Sequence, residues 1–362
     1  MTMKHIDEYR DADLSRKMVD KIKTISRKKV RLMEVCGTHT MAIFRSGIRT
    51  LLPETITLLS GPGCPVCVTA QREVDTFIKL AGIKDVIVAT FGDLLRVPGT
   101  HSSLQKERAE GKEVRIVYST FDALDVAQKH PKKEVVFLGV GFETTAPTIA
   151  ASLIEARQRN LKNFSVLSAH KLVPPALTAL MEADNVKIDG FICPGHVSVI
   201  IGSGAYLPVV EKYHIPCVVS GFEPADILQA VYMLVKQLEA GDAKLENEYR
   251  RAVTFEGNEK ARQIMYQVFE PADAPWRGIG TIPESGLKIR KEFDSFNAEK
   301  KFDLSVPDSK EPKGCACGEI LLGLKTPPEC PLYKKVCTPG DPVGPCMVST
   351  EGTCAAYYKY HT

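Results

Sequence analysis

Between residues 31 and 222 the chain repeats one pattern eight times: a short apolar run rich in β-branched residues, then a segment with helical spacing. The runs are RLMEV (31–35), TITLLS (55–60), DVIVATF (85–91), VRIVYS (114–119), EVVFLGV (134–140), FSVLSA (164–169), IDGFIC (188–193) and PCVVSGF (216–222). Continuous apolar runs mark strands buried on both faces, and helices between them make those strands parallel. The pattern therefore dictates an α/β fold. The runs divide into two sets of four, which predicts two similar parallel-sheet domains facing a cleft, at 30–128 and 131–225, with KHPKKE (129–134) as the hinge. Leu14, Met18, Ile22 and Ile25 give residues 13–28 an amphipathic helical stripe. Past residue 224 the pattern changes to long polar helices, PADILQAVYMLVKQLEA and a stretch around 245–269, followed by a Pro/Gly/Cys-rich tail. Residues 1–29 with 226–362 are expected to form an accessory helical and irregular domain.

Charge narrows the function. Lys and Arg number 47 against 44 Asp and Glu, and no long basic run occurs. Nucleic acid and anionic membrane are poor partners for such a surface. The segment MTMKHIDEYRDADLSRK is charged throughout, unlike a secretory signal, and no stretch reaches the roughly 18 apolar residues of a membrane helix. A cytoplasmic protein is expected. In that reducing compartment, 11 cysteines indicate metal binding or redox chemistry rather than a disulfide framework.

The unusual short motifs follow the strands directly. CGTHT (36–40), GPGCPVC (61–67) and GDLLRVPGTHS (92–102) follow the first three; GFETTAP (141–147), HKLVPP (170–175), PGHVS (194–198) and GFEP (221–224) follow later ones. Ligand sites of open parallel sheets form at the carboxyl ends of strands, so these motifs are candidates for one cleft. Cys36, between a strand and a helix N-terminus, is placed for a lowered thiol pKa, and His39 is near enough to be a second ligand or proton partner. A buried structural cysteine beside a capping threonine fits CGTHT equally. Cys64 and Cys67 form the C-x-x-C of a redox dithiol or half a zinc site. Glu143 could bind a cation or accept a proton, with Thr144 or Thr145 capping the next helix; simple capping is the alternative. His196 holds a matching edge position, or is an ordinary satisfied histidine. Cys193 and Cys217 read as core. No phosphate-binding glycine signature is present.

The tail is the most specific signal. Six cysteines fall within 315–354, and from Cys330 the spacing is C-x6-C-x8-C-x7-C through Cys337, Cys346 and Cys354. Four thiolates among Pro and Gly turns suit a [4Fe–4S] cluster, and the paired knuckles that zinc prefers are missing. Cys330, Cys337, Cys346 and Cys354 are the expected ligands; Cys315 and Cys317 are alternates or a nearby dithiol.

Together CGTHTM, GPGCPVC, GFETTAP, PGHVS and the tail motifs CACG, CPLY, CTP, GPCMVS and CAAYY resemble the HypD family of hydrogenase maturation factors, from residue 34 to 360. The resemblance implies assembly of the Fe(CN)2CO unit of [NiFe]-hydrogenases with a small HypC-like chaperone, cyanide coming from a HypE-like carbamoyl-dehydrating partner. It further implies that Cys36 ligates the transient iron, that Cys64 and Cys67 are the redox dithiol, and that His39, Glu143 and His196 line the site. The tail cluster would pass electrons to the cleft, making the chain a redox-active assembly scaffold rather than a conventional turnover enzyme. Two other readings remain open: an iron–sulfur thiol–disulfide reductase, and a zinc-stabilised binding module.

Overall fold

The structure, a computed structural model, describes residues 12–306 and 309–361. The eight apolar runs form β1 (Val30–Glu34), β2 (Ile56–Ser60), β3 (Val86–Thr90), β4 (Val114–Ile116), β5 (Glu134–Gly139), β6 (Phe164–Ser168), β7 (Gly190–Pro194) and β8 (Cys217–Ser220). A short β9 (Leu245–Asn247) and a hairpin of β10 (Phe269–Trp276) and β11 (Gly280–Ile289) follow. The helices used below are α1 (Ala12–Ile25), α2 (Gly37–Arg45), α3 (Pro65–Val68), α4 (Gln71–Ala81), α5 (Ala146–Gln158), α6 (Gly195–Ile201), α7 (Pro224–Ala240), α8 (Glu259–Val268), α9 (Pro345–Val348) and α10 (Thr353–Tyr360).

Two parallel sheets result, but the chain does not fill them in sequence. The first has the order β2-β1-β7-β8-β9 and the second β4-β3-β5-β6. The chain starts the first sheet, crosses to build all of the second, and returns. The boundary expected at 129–134 is therefore corrected: β3 pairs with β5 across it, and β7 pairs with β1. Even strand spacing could not reveal this, because a helical crossover serves equally for a neighbouring strand and for a return to an earlier sheet.

Alternation along the strands explains the layering. On β3, Val86 and Val88 face one core while Ile87 and Ala89 face another. The outer face of the first sheet buries Val30, Leu32, Ile192 and Val218 against Met18, Val19 and Ile22 of α1 and Ile227, Val231 and Leu234 of α7. The outer face of the second packs Phe137 and Val166 on Ile149 and Leu153 of α5 and Met265 of α8. Between the sheets lies one continuous core, joining Met33, Phe191 and Val219 to Val88, Val136 and Leu138.

The expected accessory domain also changes. The described part of its N-terminal segment, α1, together with α7 and β9, belongs to the first sheet; residues 1–11 lie outside the described residues. Around 245–269 only α8 is helical, and β10 and β11 were not anticipated as strands. The missed cue is WRGIG (276–280), where Gly278 (φ +74°) and Gly280 (φ +97°) take the positive φ a tight turn needs. Among the described residues, no helix is long and apolar enough to cross a membrane.

Ile22 is fully buried between α1 and the first sheet. We expect Ile22→Ala to cost about 2–5 kcal/mol in urea unfolding; a change below about 0.5 kcal/mol would detach α1 from this core.

Candidate functional site

Both sheets contain a switch point, where neighbouring strands send their connections in opposite directions and a crevice opens. In the first sheet it lies between β1 and β7, and in the second between β3 and β5. Cys36 follows β1 and His196 follows β7; Glu143 follows β5.

Parallel pairing assembles the first crevice. Glu34 at the end of β1 is opposite Ser60 of β2 on one side and Ile192 of β7 on the other. CGTHT and GPGCPVC therefore emerge side by side. The Gly37 amide donates to the Gly63 carbonyl at 2.9 Å. A Cβ on Gly63 would lie 2.1 Å from the Cys36 amide nitrogen, so only glycine lets the turn rest on the Cys36 backbone. The next residue is Cys64, which is disulfide-bonded to Cys67 with Cα atoms 5.2 Å apart. Cys64 Sγ also caps α3, accepting from the Cys67 amide at 3.2 Å.

Cys36 is the extended N-cap of α2 and is buried. Burial pushes its thiol up to about 12, and the carboxylates of Glu351 and Glu34 add to that, against the opposing pull of the His39 and Thr38 amides. This corrects the expectation of a lowered pKa: desolvation outweighs the helix terminus. Glu34 ties the strand end to the helix, accepting from the Cys36 amide at 3.0 Å and from Thr40 Oγ1 at 2.5 Å. Its own burial raises it to about 7.

His39 donates Nε2–H to the carbonyls of Gly221 (2.8 Å) and Ser220 (3.2 Å), which fixes its tautomer. Nδ1 is buried with no partner among the described residues, and burial lowers the ring to about 4. Phe222 links the two histidines, its ring centroid 4.8 Å from His39 and 4.0 Å from His196. His196 is exposed; partial burial lowers its pKa, and the charge of Glu351 opposes this.

Glu143 stands apart. It is buried, accepts from the Val173 amide at 2.9 Å, and its other oxygen has no partner among the described residues. Its charge reaches Tyr206 and Tyr266 rather than Cys36. Thr145 holds the N-cap position of α5, but its hydroxyl donates to the Phe142 carbonyl instead of capping.

The tail closes over the first crevice. α9 packs on α3, and α10 packs on α2, so the helices begun by Cys64 and Cys36 each carry a tail helix. Arg49 secures α10, donating to the Tyr357 hydroxyl at 2.6 Å with its guanidinium 4.7 Å from the Phe44 ring centroid. Thr38 Oγ1 donates to Glu351 at 2.7 Å. One small cavity is lined by Cys315, Cys317, Cys330, Cys337, Cys346 and Cys354, with Leu332, Tyr333 and Met347. The Sγ atoms of Cys317 and Cys346 are 2.9 Å apart. Among the described residues, no three His, Cys, Asp or Glu side chains stand at the spacing of a single-ion site.

These arrangements can be set beside known proteins. The HypD model, described as the hydrogenase formation hypA family, matches residues 13–361. The chain belongs to the HypD family. Similar relatives include the hydrogenase maturation factor HypD of Cupriavidus necator, 46% identical over 368 residues, covering 99% of this chain and 97% of that one. The hydrogenase expression/formation protein HupD of Azotobacter chroococcum is 48% identical over 367 residues, 99% and 97% of the two chains. HypD of Escherichia coli is 43% identical over 366 residues, 99% and 98%. The post-strand motifs CGTHT, GPGCPVC, PGHVS and GFEP meet at the first crevice, whereas GFETTAP and HKLVPP sit with the second sheet.

Sequence reasoning missed Glu34, Phe222 and Glu351. A carboxylate closing the apolar run RLMEV was the available signal for Glu34, since such residues are seldom fully buried without a task. Glu351 had none, as only folding brings it to Cys36.

Burial holds the Glu143 carboxyl up to about 7. Below about pH 4.5 both folded and unfolded forms are protonated. As pH rises from about 4.5 to about 7 only the unfolded form ionises freely, so native stability is lost, and the penalty is complete above about 7. We expect Glu143→Gln to gain up to about 3 kcal/mol on the parent across that window, at about 1.4 kcal/mol per pH unit. Parallel stability–pH curves in urea unfolding would contradict this.

Proposed function

We propose that this chain acts in hydrogenase maturation, the role that the names of its relatives give to those proteins. In this reading it is the scaffold on which an Fe(CN)2CO unit is assembled with a HypC-like chaperone. The observation that carries the proposal is the contact of Gly63 with Cys36, which sets a buried thiol beside a dithiol at the switch point of a sheet. Iron bearing cyanide and CO favours soft anionic donors, and thiolate meets that requirement. Cys36 would hold the cargo iron, its proton displaced by the metal, with a second thiolate from the chaperone and cyanide from a HypE-like donor. His39, locked by two carbonyls, presents Nδ1 as its free acceptor, and His196 and Phe222 wall the crevice.

The tail fits a [4Fe–4S] cluster by its donor chemistry: six thiols, and no carboxylate or histidine, line one cavity. All six sulfurs line this cavity, and the chain spacing favours Cys330, Cys337, Cys346 and Cys354 as the four that would hold the cluster, with Cys315 and Cys317 as alternates or a nearby dithiol. When bound, such a cluster supplies single electrons. Its helix α9 lies on α3, next to the Cys64–Cys67 pair. That disulfide also suits the second reading, a thiol–disulfide reductase, but such an enzyme has no need of a third thiol seated against the dithiol turn.

The test is infrared spectroscopy on the chain purified anaerobically with a HypC-like chaperone. We expect bands of iron-bound CN and CO that Cys36→Ala abolishes; bands surviving in Cys36→Ala would remove that residue from the proposal. Disulfide turnover without such bands would favour the reductase. Iron and sulfide analysis should give about four of each, which also excludes zinc. Cys330→Ser and Cys354→Ser should each lose that iron; full iron and sulfide in either variant would redraw the ligand set.

A further inference from the structure

Arg277 follows β10 at the hairpin turn and is only 1% exposed. A guanidinium cannot shed its charge, so its burial calls for compensation. On one side it grips the dithiol segment. Its amide donates to the Val68 carbonyl at 2.9 Å, Nε to the Thr69 carbonyl at 2.9 Å, and Nη1 to Gln71 Oε1 at 2.9 Å. Nη1 also pairs with Glu311, whose side chain is 54% exposed and partly screened by water. Nη2 is buried and has no acceptor among the described residues. Glu73 feels the Arg277 charge but is itself engaged by Lys171 at 2.6 Å.

On the other side the turn presses on the cysteine tail. A Cβ on Gly278 would lie 2.1 Å from the Gly318 Cα, so the hairpin backbone abuts the residue after Cys317. The turn is thus a wedge between the segment that follows Cys67 and the six-cysteine cavity, with one guanidinium nitrogen left unused.

We propose that Arg277 is a positioning residue for the redox chemistry of the tail: a fixed buried cation, with a spare Nη2 donor, that stabilises added negative charge on the tail sulfurs and raises their reduction potential. The proposal rests on the reading that the tail carries an iron–sulfur cluster. Hydrogen bonds to sulfur and net charge are the levers by which a protein sets such a potential. One-electron reduction adds one negative charge and breaks no bond; dithionite, itself oxidised to sulfite, supplies the electron in the test.

The experiment is an anaerobic redox titration of the full chain followed by electron paramagnetic resonance, with iron and sulfide measured on each sample. We expect Arg277→Gln to keep its iron and to lower the equilibrium constant for reduction about tenfold, about 59 mV for one electron. Arg277→Lys should recover part of the shift. If Arg277→Gln fails to fold or to load, Glu311→Gln decides: removing the opposing carboxylate should move the midpoint to a more positive value. An iron-loaded Arg277→Gln with an unmoved midpoint overturns the proposal, as does an unmoved Glu311→Gln when the first variant cannot be read. Wild-type protein without iron and sulfide would instead overturn the cluster reading.

Discussion

The register of β1 between β2 and β7 is the constraint from which the site follows. Glu34 faces Ser60 and Ile192 at once, so β1 and β2 end at one level and β7 runs on two residues further to Pro194. A slip of one residue would send each side chain of β1 to the opposite face, moving Leu32 from the outer core into the core between the sheets and Met33 the other way. The outer core of Val30, Leu32 and Ile22 and the inner core of Met33 and Phe191 both resist such a slip. With the register fixed, the turn at Gly63 has one place to go, and Cys36 and Cys64 are neighbours although 28 positions separate them in the sequence.

Burial then sets the electrical character of the crevice. Cys36 is held as a thiol, His39 as a neutral ring, and Glu34 is raised to near neutrality. Few formal charges remain inside, and Glu351 acts from the rim. A cation with tightly held, neutral or anionic ligands meets little fixed charge there to repel or trap it. A thiol raised this far keeps its proton in water, which under the proposed reading suits a partner that binds sulfur strongly better than general acid–base work.

Much of this was legible in the sequence. All eight apolar runs are strands, and the motifs follow their ends, because uninterrupted Val, Ile and Leu leave no other low-energy arrangement between helices. Pairing was not legible. The second sheet is inserted within the first, and nothing in the spacing of β5 to β8 distinguishes a strand that joins β3 from one that joins β1. The hairpin was hidden by Pro271, Pro275 and Pro283, which dilute its alternation. Cys36, Cys64, Cys67, His39 and His196, singled out by local pattern, lie together at the first crevice. Glu34, Glu351 and Arg277 were not, since their importance lies in contacts with residues far along the chain. Glu143 is buried and sits with the other sheet, away from Cys36.

The clasp between α10 and α2 carries a consequence for how the protein is made. Synthesis delivers Cys36 early, yet Glu351, Cys354 and Tyr357 follow more than 300 positions later, and β7, which completes the flank of β1, appears between them. A growing or truncated chain holds the dithiol and the crevice thiol without their cover. Only a chain synthesised past Tyr357 can shut the pocket, so the order of synthesis keeps the crevice open until α10 has formed.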